Sequence, residues 1–228
     1  MNVRDAIKKY TEDLRTFPGD AALAYRNEGT RGLWEAIASR TVHRVIRTGH
    51  LIVFAQPVGD APTMAPPAGV TIAPVTEADW PALTTLISAR ELARSRALVA
   101  AGRHCLVAWR GSRPIGYAWV AESLGPDVTR CPFPLPPEAA YLWALYVLPA
   151  ERCNGIGSAL ASARIQTARE RGFREGWRTI APSNRASLRT LQKSGGETRV
   201  VGTLRFVKVL ARVFVRYTPR ADVPAGIS

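Results

Sequence analysis

The period of the apolar positions changes several times along this 228-residue chain, and each change predicts an element. Ile7, Tyr10 and Leu14 recur at helical spacing, predicting a helix from Val3 to Phe17 that Pro18-Gly19-Asp20 breaks. A second helical stretch runs from about Arg31 to Val45, with Leu33, Ile37 and Ala38 on one face, and Thr48-Gly49-His50 ends it. Leu51-Ile52-Val53-Phe54-Ala55 is an unbroken apolar run, the pattern of a buried strand. The stretch from Pro57 to Gly69 is rich in Pro, Gly and Ala and has no period, so it reads as a linker.

Beyond it the periods alternate. Val70 to Val75 predicts a strand, and Thr76-Glu77-Ala78-Asp79 offers a capping box for a helix through Ile87. An arginine-rich helix follows to about Ala100 and stops at Gly102. His104 to Trp109 and Ile115 to Ala121 flank the turn Gly111-Ser112-Arg113-Pro114, a hairpin. Gly125 to Pro137 is a long proline-rich loop, a class that is usually functional or mobile. Tyr141 to Val147 is apolar and aromatic, a central strand that Leu148-Pro149 stops. Gly155 to Arg171 is helical, with Ile156, Ala159, Leu160 and Ala163 on one face and Gly172 as its cap. Trp177 to Ala181 is a strand, and Asn184 to Ser194 a helix capped by Gly195-Gly196. Thr198 to Val201 and Phe206 to Tyr217 are strands. This order predicts a mixed α/β sheet. It divides the chain into an N-terminal extension (1–58), a linker (59–69), an α/β domain (70–218) and a tail (219–228). The first block is too short to be stable alone and is expected to pack on the larger domain.

Composition narrows the function classes. The formal net charge is +13, which favours anionic partners, and an arginine-rich surface is the bland account of it. No helix-turn-helix, zinc-finger or RNP-type motif accompanies the charge. Cys105, Cys131 and Cys153 are odd in number and form no CxxC pair, and His43, His50 and His104 form no HxxxH pair. Neither a disulfide framework nor a metal centre is expected. With no long apolar run and no secretory leader, a soluble, cytoplasmic protein is expected.

The sharpest chemical signal runs from Val147 to Leu160: a strand, a loop with Gly155 and Gly157, then a helix at once. Amides at a helix N-terminus lack intrahelical partners and, with the helix dipole, make an anion site. Glycine lets phosphate oxygens approach the backbone. The Walker A pattern needs a lysine that is absent, and the dinucleotide pattern needs a small residue where Leu160 stands.

Arg152-x-x-Gly155-x-Gly157 after a strand ending Val-x-Pro resembles the coenzyme A pyrophosphate loop of Gcn5-related N-acetyltransferases (GNAT). Asn184-Arg185-Ala186-Ser187 through Lys193-Ser194-Gly195 is similar to that family's later Asn-x-x-Ala/Ser helix. The likeness extends from about Val70 to Tyr217. It implies a GNAT-like acyl-CoA transferase fold, with a small N-terminal helical and strand extension, acetyl-CoA as co-substrate and no metal. It also implies that the family's fourth and fifth strands splay apart to take the pantetheine arm. Leu145, Tyr146 and Val147 would pair with the arm, and the Val147 N–H would polarise the thioester carbonyl. Amides of Arg152, Cys153, Asn154, Gly155, Ile156, Gly157 and Ser158 would hold the pyrophosphate, and Asn184 and Ser187 would line the far side.

The chain departs from the family pattern at its acid and base. The acidic tyrosine of many members is Leu191 here, and the basic glutamate of some members is Trp143. Tyr146 and Glu122 stand in for them by location, each at a strand end, with Tyr141, Glu138 or a water chain as alternatives. Cys153 reads as incidental, and Arg90, Arg94 and Arg96 as either an acidic-acceptor site or a solvated helix face. The expected function is acetyl transfer to a small-molecule or protein amine by direct attack. The alternatives are a coenzyme A-binding module without catalysis, and an acyltransferase that docks tRNA or a carrier protein on its basic surface. A homodimer stays open, and no membrane partner is expected.

Overall fold

The apolar runs pair into one sheet. The computed structural model describes residues 3–40, 46–59, 61–193, 197–209 and 212–224. Its strands are β1 (Ile46–Pro57), β2 (Thr71–Pro74), β3 (His104–Arg110), β4 (Arg113–Ala121), β5 (Ala139–Val147), β6 (Glu175–Ile180), β7 (Arg199–Val209) and β8 (Arg212–Pro224). They lie in the order β2-β3-β4-β5-β6-β1-β7-β8. Every neighbouring pair is antiparallel except β5 with β6. The helices are α1 (Val3–Arg40), α2 (Trp80–Leu83), α3 (Ala89–Ala100), α4 (Ile156–Glu170) and α5 (Arg185–Lys193). The expected mixed α/β fold is thus present.

Strand alternation sends successive side chains to opposite faces. On one face α4 packs Ile165 and Ala168 on Val120, Ala140 and Leu142. Next to it α5 sets Leu191 on Phe54 and Ile180. On the other face α2 and α3 lie over Cys105, Val107, Tyr117 and Trp119. The expected capping box precedes α2, with the Thr76 N–H donating to Asp79 Oδ2 at 2.7 Å. The long loop completes this second face, and it is packed: Val128 and Phe133 are buried with Tyr141 and Trp177. The Phe133 ring stacks on Trp177, centroids 6.1 Å apart, and meets Tyr141 edge-on at 5.6 Å.

The N-terminal part departs from expectation in three places. Pro18 lies inside α1, and the helical path breaks at Gly29, whose φ is 63°. A proline costs a helix one N–H bond and a kink, whereas a left-handed residue ends the helical path outright. Thr48-Gly49-His50 belong to β1, because Phe206 of β7 fills the space where a Cβ at Gly49 would stand. The expected helical residues 41–45 lie outside the described residues. β1 runs in the interior of the sheet, paired with β6 from Ile52↔Ile180 to Pro57↔Glu175 and with β7 along its other edge.

Residues 61–69 form no helix or strand, yet their neighbours tie them down. Val58 and Ala61 are buried, Arg169 donates to both their carbonyls, and the Met64 N–H donates to Ser162 Oγ at 2.8 Å. Near the C-terminus, the sequence reading breaks the strand at Gly202 and continues a second one across 210–211, which lie outside the described residues. Instead β7 runs through Gly202, and β8 pairs with it as far as Arg199↔Pro224, into the stretch read as a tail. The Gly195-Gly196 cap expected after α5 also lies outside the described residues.

Candidate functional site

β5 and β6 begin as neighbours and then part. They pair at Ala139↔Glu175, Ala140↔Gly176 and Tyr141↔Trp177, and no further. β5 instead bends with β4. Tyr117 opposes Tyr146 and Trp119 opposes Trp143, so Ala144 and Leu145 together face Ala118: a bulge, with Ala144 at φ 48°. A cleft opens between the strands from Trp143 to Val147. The Leu148 N–H bonds Ile115 O across β4 at 2.9 Å. Hydrogen-bonding direction alternates along an antiparallel ladder. The N–H and C=O of Val147 therefore face away from β4, toward the cleft. The Val147 carbonyl accepts from Arg152 Nε at 3.0 Å.

The loop at the cleft mouth is shaped by two left-handed residues, Cys153 at φ 65° and Gly155 at φ 80°. Gly155 caps α4, which starts at Ile156. The amides of Ile156, Gly157 and Ser158 form its first turn and have no intrahelical partner. A Cβ on Gly157 would stand 3.9 Å from Val147 Cγ2 and 4.0 Å from Leu145 Cδ2, so the bare backbone faces the flank of the cleft. Glu151 is buried and ion-pairs with Arg110 at 2.9 Å, pinning the loop to β3. The Arg152 amide differs from expectation: it donates to Pro149 O at 3.2 Å, leaving its side chain to face the cleft. These features fit a pyrophosphate at the turn and an extended arm along β5.

Tyr146 is half-buried beside the loop. Its ring lies 5.6 Å from Tyr117, with the Arg152 guanidinium 5.8 Å above it. Burial pushes its hydroxyl up to about 12, the Glu28 carboxylate adds to this, and Arg152 opposes it. Glu28 comes from α1 and also pairs with Arg152 at 3.2 Å. Arg26 and Asn27 hold this part of α1 by donating to Thr85 O and Leu86 O. No local pattern marks Glu28 in the sequence, because 124 residues separate it from Arg152.

The other candidates are scattered. Glu122 follows the end of β4 that pairs with Tyr141, whereas Tyr117, in the middle of β4, pairs with Tyr146, so about half of the strand separates the two. It is held there by His104 and Arg171, each at 3.3 Å. Glu138 is exposed beside the paired end of β5. Tyr141 donates to or accepts from Thr179 Oγ1 at 2.8 Å, and burial raises its pKa. Trp143 stacks between Trp119 and Tyr141. Asn184 caps α5, its Oδ1 accepting from the Ser187 N–H at 3.1 Å. Leu191 is buried against Phe54 and Ile180, which explains an apolar residue there. Cys153 is exposed in the loop. Of the arginines on α3, Arg96 pairs with Glu77 and Arg94 reaches the Asp127 carbonyl.

An apolar cavity lies beneath α2 and α3, lined by Trp80, Leu83, Ile87, Tyr117 and Trp119 among others. Tyr117 joins it to Tyr146. Among the described residues, no group of three His, Cys, Asp or Glu could hold a metal ion, and no helix is long and apolar enough to cross a membrane.

Known proteins share this architecture. The X-ray structure of a Drosophila protein is similar at 17% identity, with 80% of this chain and 67% of that one covered and a TM-score of 0.54. A GNAT-family protein from Novosphingobium aromaticivorans is similar at 19% identity, 72% and 65% coverage and a TM-score of 0.48. A glucosamine N-acetyltransferase region of a fungal multi-domain GH3 β-N-acetylglucosaminidase is similar at 11% identity, 81% and 23% coverage and a TM-score of 0.51. The chain thus spans about two thirds of the length of the first two. No curated protein matches it. Residues 72–196, more than half of the chain, match the Acetyltransferase (GNAT) family. Parted strands, glycine turn and family match agree, and the chain belongs to the GNAT acetyltransferases.

Proposed function

We propose that this protein transfers an acetyl group from acetyl-CoA to an amine by direct attack in the β5–β6 cleft. One observation carries the reading: β5 and β6 part after Tyr141, and the cleft this leaves runs along β5 to Val147 beside the N-terminus of α4, where Gly155 and Gly157 leave the backbone bare. The amides from Cys153 to Ser158 bind the pyrophosphate, and the Arg152 side chain adds charge. Leu145 offers its strand edge to the arm, whereas the backbone groups of Tyr146 turn to β4 and only its side chain serves the cleft. The Val147 N–H points at the thioester oxygen and stabilises charge that develops there. Acetyl-CoA supplies the activated acyl group. Tyr146 holds a proton for the leaving thiolate, and Glu28 takes one from the attacking ammonium. The acceptor is a small-molecule or protein amine, approaching past Tyr117 from the cavity beneath α2 and α3.

Calorimetry and thermal shift with acetyl-CoA test the loop directly. At a hundred times Kd, ligand that binds only the folded state adds about 2.7 kcal/mol of stability. The wild type is expected to show this gain, and Gly157→Trp, whose indole fills the turn, to lose it while keeping its own melting temperature within a few degrees. A wild type that ignores every acyl-CoA overturns the proposal.

A further inference from the structure

Two buried guanidinium groups stand where β5 and β6 part, and the chemistry above uses neither. Arg164 lies on α4 eight residues past Ile156, about 12 Å along the helix axis. It is 5% exposed, and its Nη1 donates to Trp143 O at 3.2 Å. Trp143 is two residues beyond Tyr141, the last residue of β5 that pairs with β6. Arg178 follows Trp177, the partner of Tyr141 on β6. It is 4% exposed, and its Nη2 donates to Gln56 Oε1 on β1 at 2.5 Å. The Nε atoms of both arginines are buried without a hydrogen-bond partner. Burial, and then the like charge of Arg178, push Arg164 below its ordinary value, and the phenol of Tyr141 only partly opposes this. Burial does the same to Arg178.

A fold rarely keeps two neighbouring cations from water without an anion between them, because a buried charge is costly unless paired. Here both partners recorded for them are neutral oxygens. On the opposite face of the sheet, the Tyr141–Thr179 hydrogen bond bridges the same point. The root of the cleft is thus cationic on the α4 face and closed by a phenol on the other.

We propose that this root is a carboxylate-binding site. The proposal rests on the acetyl-CoA reading: with the pyrophosphate at the α4 N-terminus, the far end of an extended pantetheine arm lies toward Arg164. Two chemistries deliver a carboxylate there. One is an acyl group that itself ends in a carboxylate, such as succinyl. The other is an amine acceptor that carries one, such as an amino acid. An acetyl methyl meets neither charge, whereas a carboxylate accepts from both guanidinium forks.

Isothermal titration of the full chain separates the sources. In the first arm, coenzyme A, acetyl-CoA and succinyl-CoA are compared. In the second, protein saturated with coenzyme A is titrated with glycine and with ethanolamine, which differ only in the carboxylate. A preference of about tenfold or more for the carboxylate ligand in one arm is expected, the effect of a hydrogen bond to a charged group. Arg164→Met and Arg178→Met are expected to abolish that preference, keep the affinity for coenzyme A, and leave the ligand-free melting temperature unchanged or raised. Arginines that merely prop the strands would lower that temperature on substitution while the preference survives, which overturns the site. A wild type with no carboxylate preference in either arm also overturns it, whatever becomes of the variants. Failure to bind coenzyme A at all overturns the acetyl-CoA reading, a different result from binding it without regard to the carboxylate.

Discussion

Tyr146 keeps its proton because partial burial and the facing Glu28 carboxylate both disfavour its anion. With a pKa near about 12, the phenol stays protonated throughout the neutral range and loses its proton only as pH rises past that value. An alkaline limb in kcat below pH 12 therefore belongs to another group. Replacing Tyr146 by Phe removes the donor and keeps the ring against Tyr117, so kcat is expected to fall about 10²- to 10⁴-fold with KM for acetyl-CoA little changed. Steady-state kinetics over pH check this, and an undiminished kcat refutes the role. Glu28→Gln separates two uses of the same carboxylate. As a base, its loss lowers kcat about a hundredfold and flattens the acid limb of the profile. As a competitor for Arg152, its loss leaves kcat alone and lowers KM for acetyl-CoA. Binding without turnover by the wild type, on a broad panel of amines, would instead mark a coenzyme A-binding module. The glycines of the loop were legible in the sequence because their chemistry is local. Tyr146 was legible as a strand-end residue. Glu28 was not, because it reaches the site only through the folded path of α1, and Glu122 misled because a strand has two ends and the sequence does not say which one opens.

Among the elements, β1 matters most, because it supplies hydrogen bonds to strands on both sides. Its apolar run, Val53 to Ala55, is wholly buried, and Gln56 with it, so a strand there was readable from composition alone. Its neighbours were not, since nothing in a run of Val, Phe and Ala names a partner far along the chain. The match to the family starts at residue 72, which invites trimming to that point. Removal of residues 1–57 leaves the facing edges of β6 and β7 without partners and uncovers Ile180 and Val201. Unpaired interior edges invite aggregation. A chain trimmed to 70–224 is expected to lose its cooperative thermal transition by circular dichroism. A transition within a few degrees of the full chain would show that β1 is dispensable. The long loop teaches the converse lesson: its prolines announced a loop, but its packing depends on Phe133 finding Trp177, a pairing that only the closed sheet creates.

For the molecule as a whole, the charge of +13 acts on any polyanionic ligand before contact is made. Coenzyme A carries several negative charges, so the field of the protein speeds its arrival and salt screens the effect. KM for acetyl-CoA is expected to rise several-fold from low to physiological ionic strength, with kcat nearly constant; a KM indifferent to salt would show that the surface charge serves something else. This much was visible in composition, whereas the two arginines at the root of the cleft were hidden among thirty-one basic residues until the fold buried them. The interior position of β1 also bears on how the molecule is made. A ribosome releases this strand before either of its partners, and both emerge more than a hundred residues later. The nascent chain must carry an apolar segment over that whole interval, and the sheet closes only after β7 is out. Folding of this kind is slow and rich in distant contacts. Chaperones that shelter exposed apolar segments should therefore engage β1 as the chain grows, and the yield of native enzyme should follow their supply more than the final stability.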